Sequence, residues 1–327
     1  MEILRRWFCQ YALIVLMLAA GLQNSSAAET PELKVGVLKF GTVNWVMDVI
    51  EHHRLDRQNG FVLQVLGLAS KNATTVAFLA EDVNMIVTDW FWVLRQRSQG
   101  NDVAIIPYSA ALGAVMVAAD SGITKLEDLQ GKRIGVAGGP IDKSWLLLRA
   151  FSLSRYKIDL TETAAPVYAA PPLLNEQLMS RRVDAVLNFW PYAARLEGAG
   201  YQRLASVSDL MQQMDMKVTA PLIGFTFTRR LADERPELVR GFIAAVAAAN
   251  ELLQTSDDEW QRLKPLMKTN NDEEFVALRD RYREGILTSW TSEHKLAAKR
   301  LFDVLKSVGG DKLTGKGTRF DPAMFWP

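Results

Sequence analysis

A strand–turn–helix unit recurs along this chain, and that recurrence limits the fold more than any other feature. From Leu33, "LKVGVLK" alternates and is rich in β-branched residues, and the turn "FGTVN" follows it. "WVMDVIEHHRLD" (45–56) then carries apolar residues at helical spacing. The order returns with the strand "FVLQVLGL" (61–68), the loop "ASKNATT" and the helix "VAFLAE". It returns again with "VNMIVT" (83–88), Asp89 and the helix "WFWVLRQRS". "VAIIPYS" (103–109) and "GAVMVAA" (113–119) read as two further strands. After "SGITKLEDLQGK" (121–132) the pattern restarts with "RIGVA", a Gly-rich turn and a helix over 142–153. "PVYAAPP" and "LLNEQLMSRR", "VDAVLNF" (183–189) and "WPYAARLEGAG", and finally "YQRLASV" complete it. Such alternation predicts parallel sheets with helices on both faces, and the restart predicts two sheets. A chain of 327 residues is long enough to bury two cores.

At "APLIGFTFTRR" (220–230) the character changes. One strand precedes four helical segments, over 235–254, 257–268, 272–287 and 292–308. In the first, Val239, Phe242, Ile243, Val246 and Asn250 share a face, and Pro236 sits in the first turn, where a missing N–H does no harm.

The first 28 residues differ in kind. Arg5 and Arg6 precede an uncharged stretch whose apolar part, "YALIVLMLAAGL", spans 11–22, and "SSAA" offers small residues before Glu29. That is the pattern of a secretory signal peptide, and the apolar run is short for a membrane span. Its removal takes away Cys9, the only cysteine, so the exported protein is expected to have no disulfide, thiolate metal site or cysteine nucleophile. Lys plus Arg number 38 and Asp plus Glu 37, with no long basic run, which argues against a nucleic-acid partner.

Enzyme signatures are missing. In "AGGPIDKSW" (137–145), Lys143 and Ser144 match the end of a phosphate-binding P-loop, but Asp142 stands where its second glycine must be. A dinucleotide fingerprint and a nucleophile elbow are also lacking. His52 and His53 end a helix and are expected to face solvent, and no carboxylate cluster has metal-loop spacing. Neither a catalytic constellation nor a cofactor or metal site is expected.

Open parallel sheets bind ligands beyond the carboxyl ends of their strands. The tips here are Thr42, Asn44 and Trp45; Lys71 and Asn72; Asp89 and Trp90; Ser109; Asp142, Lys143, Ser144 and Trp145; Pro171 and Pro172; and Asn188, Trp190 and Tyr192. Four tryptophans at equivalent tips suggest a stacking or cation–π site. Asp142 or Ser144 can cap the helix that follows, whose first N–H groups favour an anionic or polar ligand. Asp89 suits a cationic group, whereas Lys71 and Lys143 suit an anionic one; a zwitterion reconciles them.

"LKVGVLKFGTVNW", "MIVTDWFWVLRQRSQGNDVAIIPYS", "GITKLEDLQGKRIGVAGGPIDKSWLLLRAF" and "RRVDAVLNFWPYAARL" resemble periplasmic substrate-binding proteins of the taurine, aliphatic-sulfonate and nitrate importers. That group also holds thiamine-pyrimidine-binding relatives. The resemblance implies a two-lobed α/β periplasmic binding protein of type II, a Venus flytrap with a helical C-terminal segment. Residues 29–119 and 220–327 would form the first lobe and 120–219 the second, hinged near Ser109–Gly113 and Thr219–Gly224. A monomer in the periplasm would capture a small polar organic solute, sulfonate-, amine- or pyrimidine-like. It would deliver that solute to an ABC permease and its ATPase. The intrusion of Asp142 and Lys143 into the Gly-rich turn, and the tip "TDW", point away from a simple sulfonate or nitrate and toward something larger, cationic or zwitterionic. Two other roles fit the same fold: a periplasmic sensor subunit for a membrane receptor, and an enzyme of the pyrimidine-synthase branch. The enzyme is opposed by the absence of cysteine after export.

Overall fold

The structure, a computed structural model, describes residues 30–326, so the expected signal peptide lies outside the described residues. The strands are β1 (Glu32–Leu38), β2 (Val62–Leu68), β3 (Met85–Asp89), β4 (Val103–Ser109), β5 (Ala114–Val117), β6 (Arg133–Ala137), β7 (Ala165–Ala169), β8 (Ala185–Asn188), β9 (Gln202–Ser206) and β10 (Ile223–Thr228). They form two sheets, ordered β2-β1-β3-β10-β4 and β7-β6-β8-β5-β9. The first sheet takes its strands from the two outer parts of the described chain, the second from the middle.

Two expectations are corrected here. Neither sheet is wholly parallel. β1 runs parallel to β2, from Glu32 opposite Val62 to Leu38 opposite Leu68, and parallel to β3. β10, however, is antiparallel to both β3 and β4, and β5 is antiparallel to both β8 and β9. The reversed strand in each sheet is the first one entered after the chain crosses from the other sheet. Residues 113–119 also do not extend the first lobe. All four residues of β5 are buried, and a strand buried on both faces belongs at the inside of a sheet, here between β8 and β9. The crossings therefore fall at 110–113 and 214–222.

The principal helices are α1 (Val43–His52), α2 (Lys71–Leu79), α3 (Trp90–Ser98), α4 (Lys143–Tyr156), α5 (Pro171–Met179), α6 (Trp190–Gly198), α7 (Val207–Gln213), α8 (Pro236–Thr255), α9 (Asp257–Met267), α10 (Asp272–Glu284) and α11 (Ser292–Thr314). Their starts follow from short polar side chains: Ser70, Asp89, Asp142, Ser206, Ser256 and Asn271 each accept a first-turn N–H. Pro236 opens α8, which buries Val239, Phe242, Ala245, Ala249, Asn250 and Leu253. α11 runs past the expected end at 308 and breaks at Gly310, whose φ of 56° lies in the left-handed region that glycine tolerates.

One hydrophobic cluster is shared by the lobes. Trp90, Phe91 and Ile105 of the first meet Val115, Ile134, Trp145 and Phe151 of the second, and α11 joins them through Leu301, Phe302 and Leu305. A second cluster packs the other face of the first sheet against α1, α8, α9 and α10. A third, smaller one lies between the second sheet and α5 and α6.

Candidate functional site

The loops that leave β1, β2, β3, β6, β7 and β8 at their carboxyl ends face one cleft of about 1080 Å³ between the lobes. The first lobe contributes residues 37–45, Lys71 and Asp89, and the second contributes Asp142–Ser144, Pro171, Pro172 and Phe189–Tyr192. Of the expected residues, Thr42, Asn44, Trp45, Lys71, Asp89, Asp142, Lys143, Ser144, Trp190 and Tyr192 line it, as do Pro171 and Pro172.

Trp45 and Trp190 meet edge to face across the lobes, ring centroids 6.1 Å apart, and Trp45 also contacts Trp260 at 5.8 Å and Tyr282 at 5.7 Å. Asp89 and Lys143 also meet across the lobes: the Lys143 ammonium donates to Asp89 Oδ2 at 2.9 Å, and Asp89 Oδ1 accepts the Trp92 N–H. Burial pushes the Asp89 carboxyl up, but the charge and hydrogen bond of Lys143, with Lys71 and Arg95 behind it, outweigh burial and hold it below the usual carboxylate range. Asp142 goes the other way. Burial lifts its carboxyl above that range despite Lys143, two backbone N–H donors and Lys71. One of its oxygens accepts from Ser144 N at 2.9 Å and Trp145 N at 3.4 Å, so the chain itself occupies the start of α4.

Five expected residues do not line the cleft. Trp90 is 1% exposed and donates its indole N–H to Pro221 O, and Trp145 is fully buried in the shared cluster. Asn188 is buried and donates to Pro171 O and Asn175 Oδ1 while accepting from Phe189 N, which fixes the turn instead of facing a solute. Ser109 accepts from Ala111 N and donates to Gly285 O, pinning the first crossing. Asn72 is exposed on the first turn of α2. Within the lining, Asn44 is committed to Leu38 O and Gly41 O. Asp89 and Lys143, read from the sequence as separate anchors for opposite charges, neutralise each other. His53 is half-buried and lies 3.1 Å from Glu259, so only His52 faces solvent as expected. Among the described residues, no group of His, Cys, Asp and Glu is placed to hold a metal ion.

The sequence reading missed Lys39, Phe40, Phe189, Arg195 and Lys268, which also line the cleft. Lys39 and Phe40 follow β1 directly and Phe189 follows β8, so strand-end position was the available signal. Arg195 and Lys268 reach the cleft only because α6 packs on α10 and α9 ends beside it. Arg195 of α6 donates to Glu274 of α10 and to the carbonyls of Met267 and Lys268. Glu197 of α6 bridges Arg203 and Arg281. Burial pushes its carboxyl up, and the two guanidiniums outweigh that and hold it low.

These helices touch backbone to backbone at Gly198, where a Cβ would sit 2.5 Å from Glu274 Cα. Gly198→Val therefore costs about 1–3 kcal/mol through forced separation of α6 and α10. Thermal unfolding reads this as a loss of several degrees; an unchanged midpoint refutes the close approach.

The NMT1/THI5-like family model matches residues 57–259. No curated protein sequence gives a significant match. Among solved structures, the alkanesulfonate-binding protein SsuA from Xanthomonas axonopodis pv. citri, bound to MOPS, is 17% identical with a TM-score of 0.66, covering 91% of this chain and 99% of its own. The periplasmic aliphatic sulphonate binding protein SsuA from Escherichia coli is 17% identical with a TM-score of 0.70, covering 89% and 92%. The desulfurization enzyme DszB is also similar, at 15% identity and a TM-score of 0.59, covering 88% and 97%. These likenesses establish the fold, the two-lobed type II architecture expected from the sequence.

Proposed function

The chain belongs to the NMT1/THI5-like family, and from that premise we propose that it is an exported solute-binding protein of an ABC importer. It captures a small organic solute between its lobes, as a monomer in the periplasm, and presents the closed form to a permease and its ATPase. The observation that carries this reading is the cleft itself. It lies at the strand ends of two sheets joined by two crossings, and groups from both lobes line it. A solute touching both lobes favours closure, which is how binding becomes a signal to a partner. The lobes of this reading are 32–109 with 223–326, and 114–206.

Because an enzyme shares the fold, architecture alone does not decide against catalysis. No histidine or cysteine is among the residues that line the cleft, so the cysteine–histidine chemistry considered for the enzyme alternative has no support there. The test is thermal unfolding of the dialysed protein against sulfonates, amines, betaines, pyrimidines and nitrate, with X-ray scattering in parallel. A solute at about 100 times its dissociation constant adds roughly 2.7 kcal/mol. At least one is expected to raise the midpoint and compact the molecule. A folded protein that responds to none, and releases no small molecule on denaturation, overturns solute capture.

A further inference from the structure

Resting on the solute-capture reading, we propose that the cleft's occupant is an organic monoanion with a large, flat apolar body, and neither a short-chain acid nor a zwitterion. Size comes first. About 1080 Å³ lies at the upper end of small-molecule sites, so an occupant much larger than a short acid can enter. The accessible walls that such a body would touch are apolar and largely aromatic: Phe40, Leu112, Phe189 and Trp190.

Charge comes second. Two of the cleft's cations are already matched, Lys143 by Asp89 and Arg195 by Glu274. That leaves Lys39, Lys71 and Lys268, none with a carboxylate partner among the described residues, against Asp142 and Glu176. Asp142 is committed to the first N–H groups of α4, and Glu176 is exposed at the rim. The balance left for a ligand is positive. A zwitterion would need a free carboxylate beside a free ammonium, and the best-placed carboxylate, Asp89, is held by Lys143.

Juxtaposition comes third. Each free lysine rests beside an aromatic ring: Lys71 lies 5.5 Å from the Phe189 centroid, and Lys268 and Lys39 lie 4.8 and 5.8 Å from that of Phe40. Phe40 is 78% exposed, and both of its lysines stand over its ring. An ammonium held over an accessible ring joins positive charge to apolar surface in one place, which suits an anion that carries an aryl body. Lys71 with Phe189 is the better seat, because the two residues come from opposite lobes and an anion there would touch both.

The test is calorimetric titration of the full chain, purified as its host processes it. The probes are 2-naphthalenesulfonate and 2-naphthoate, the neutral 2-naphthalenemethanol, and methanesulfonate and taurine. Both naphthyl anions are expected to bind at least 30-fold tighter than methanesulfonate or taurine and several-fold tighter than the alcohol. Lys71→Met, on an exposed side chain, should weaken the naphthyl anions about tenfold and leave the alcohol within twofold. Taurine or methanesulfonate binding as tightly as the naphthyl anions overturns the ligand class while solute capture stands. Equal binding of alcohol and anions, unmoved by Lys71→Met, overturns the anionic part. Silence from every probe overturns the inference, and a response to another solute in the broader thermal screen then shows that capture survives it.

Discussion

Trp145→Ala is expected to lower the unfolding free energy by about 3–5 kcal/mol, a large share of the roughly 5–15 kcal/mol that holds a typical domain together. The indole is fully buried in the cluster shared by both lobes, so truncation opens a cavity that α4, held between the second sheet and α11, cannot close. Denaturant unfolding measures the loss. The protein that remains folded should keep its affinity for solute, because Trp145 does not line the cleft. Normal stability with lost binding would return Trp145 to the site, where its position in the sequence had suggested it belongs.

Asp89→Asn is the second large effect. Asparagine can still cap α3 through Trp92 N, so the substitution removes charge and little else. It strands Lys143, whose side chain is 20% exposed against 17% for Asp89. Breaking a fully buried pair costs about 3–5 kcal/mol, and residual solvent access brings this one nearer 2–3 kcal/mol. Adding Lys143→Met should restore at least half of the loss, since no uncompensated ammonium then remains. The pair also predicts a pH signature. A carboxyl whose pKa falls on folding stabilises fully above its unfolded value of about 4 and loses that contribution as pH drops through its lower folded value. The unsubstituted protein should therefore lose stability more steeply than Asp89→Asn below about pH 5. Asp142, shifted upward, contributes with the opposite sign, but it is common to both proteins. Parallel acid-unfolding curves for the two would overturn the pair's role.

Element order and most strand-end positions could be read from the sequence, because alternation and helical spacing are local signals. Which sheet β5 joins could not be, since "AVMV" has the same pattern in either. The four tip tryptophans show the same limit at the site. Trp45 and Trp145 are each the third residue of a helix, and Trp90 and Trp190 each the first. Nothing local separates the members of either pair. What separates them is distant chain: the C-terminal segment covers the side where Trp90 and Trp145 lie, bringing Phe320 to 6.0 Å and Phe325 to 6.5 Å from Trp90, and turns both into core. On the opposite side Trp190 is only half-buried and faces the cleft, while Trp45, 4% exposed, borders it from within the second cluster. The charges misled for a related reason. Asp89 and Lys143 stand 54 residues apart, and their cancellation appears only when the lobes meet.

The same C-terminal segment sets an order on folding. Residues of α11 and the tail, from Ala297 to Phe325, sit in the cluster that holds Trp90, Ile134 and Trp145 together. In chain order those residues follow every strand of both sheets. Until they arrive, the apolar faces of α3 and α4 have no cover, and the growing chain cannot settle into its final state. The two sheets can each form early, but the cluster that joins them becomes firm only when these late segments are in place.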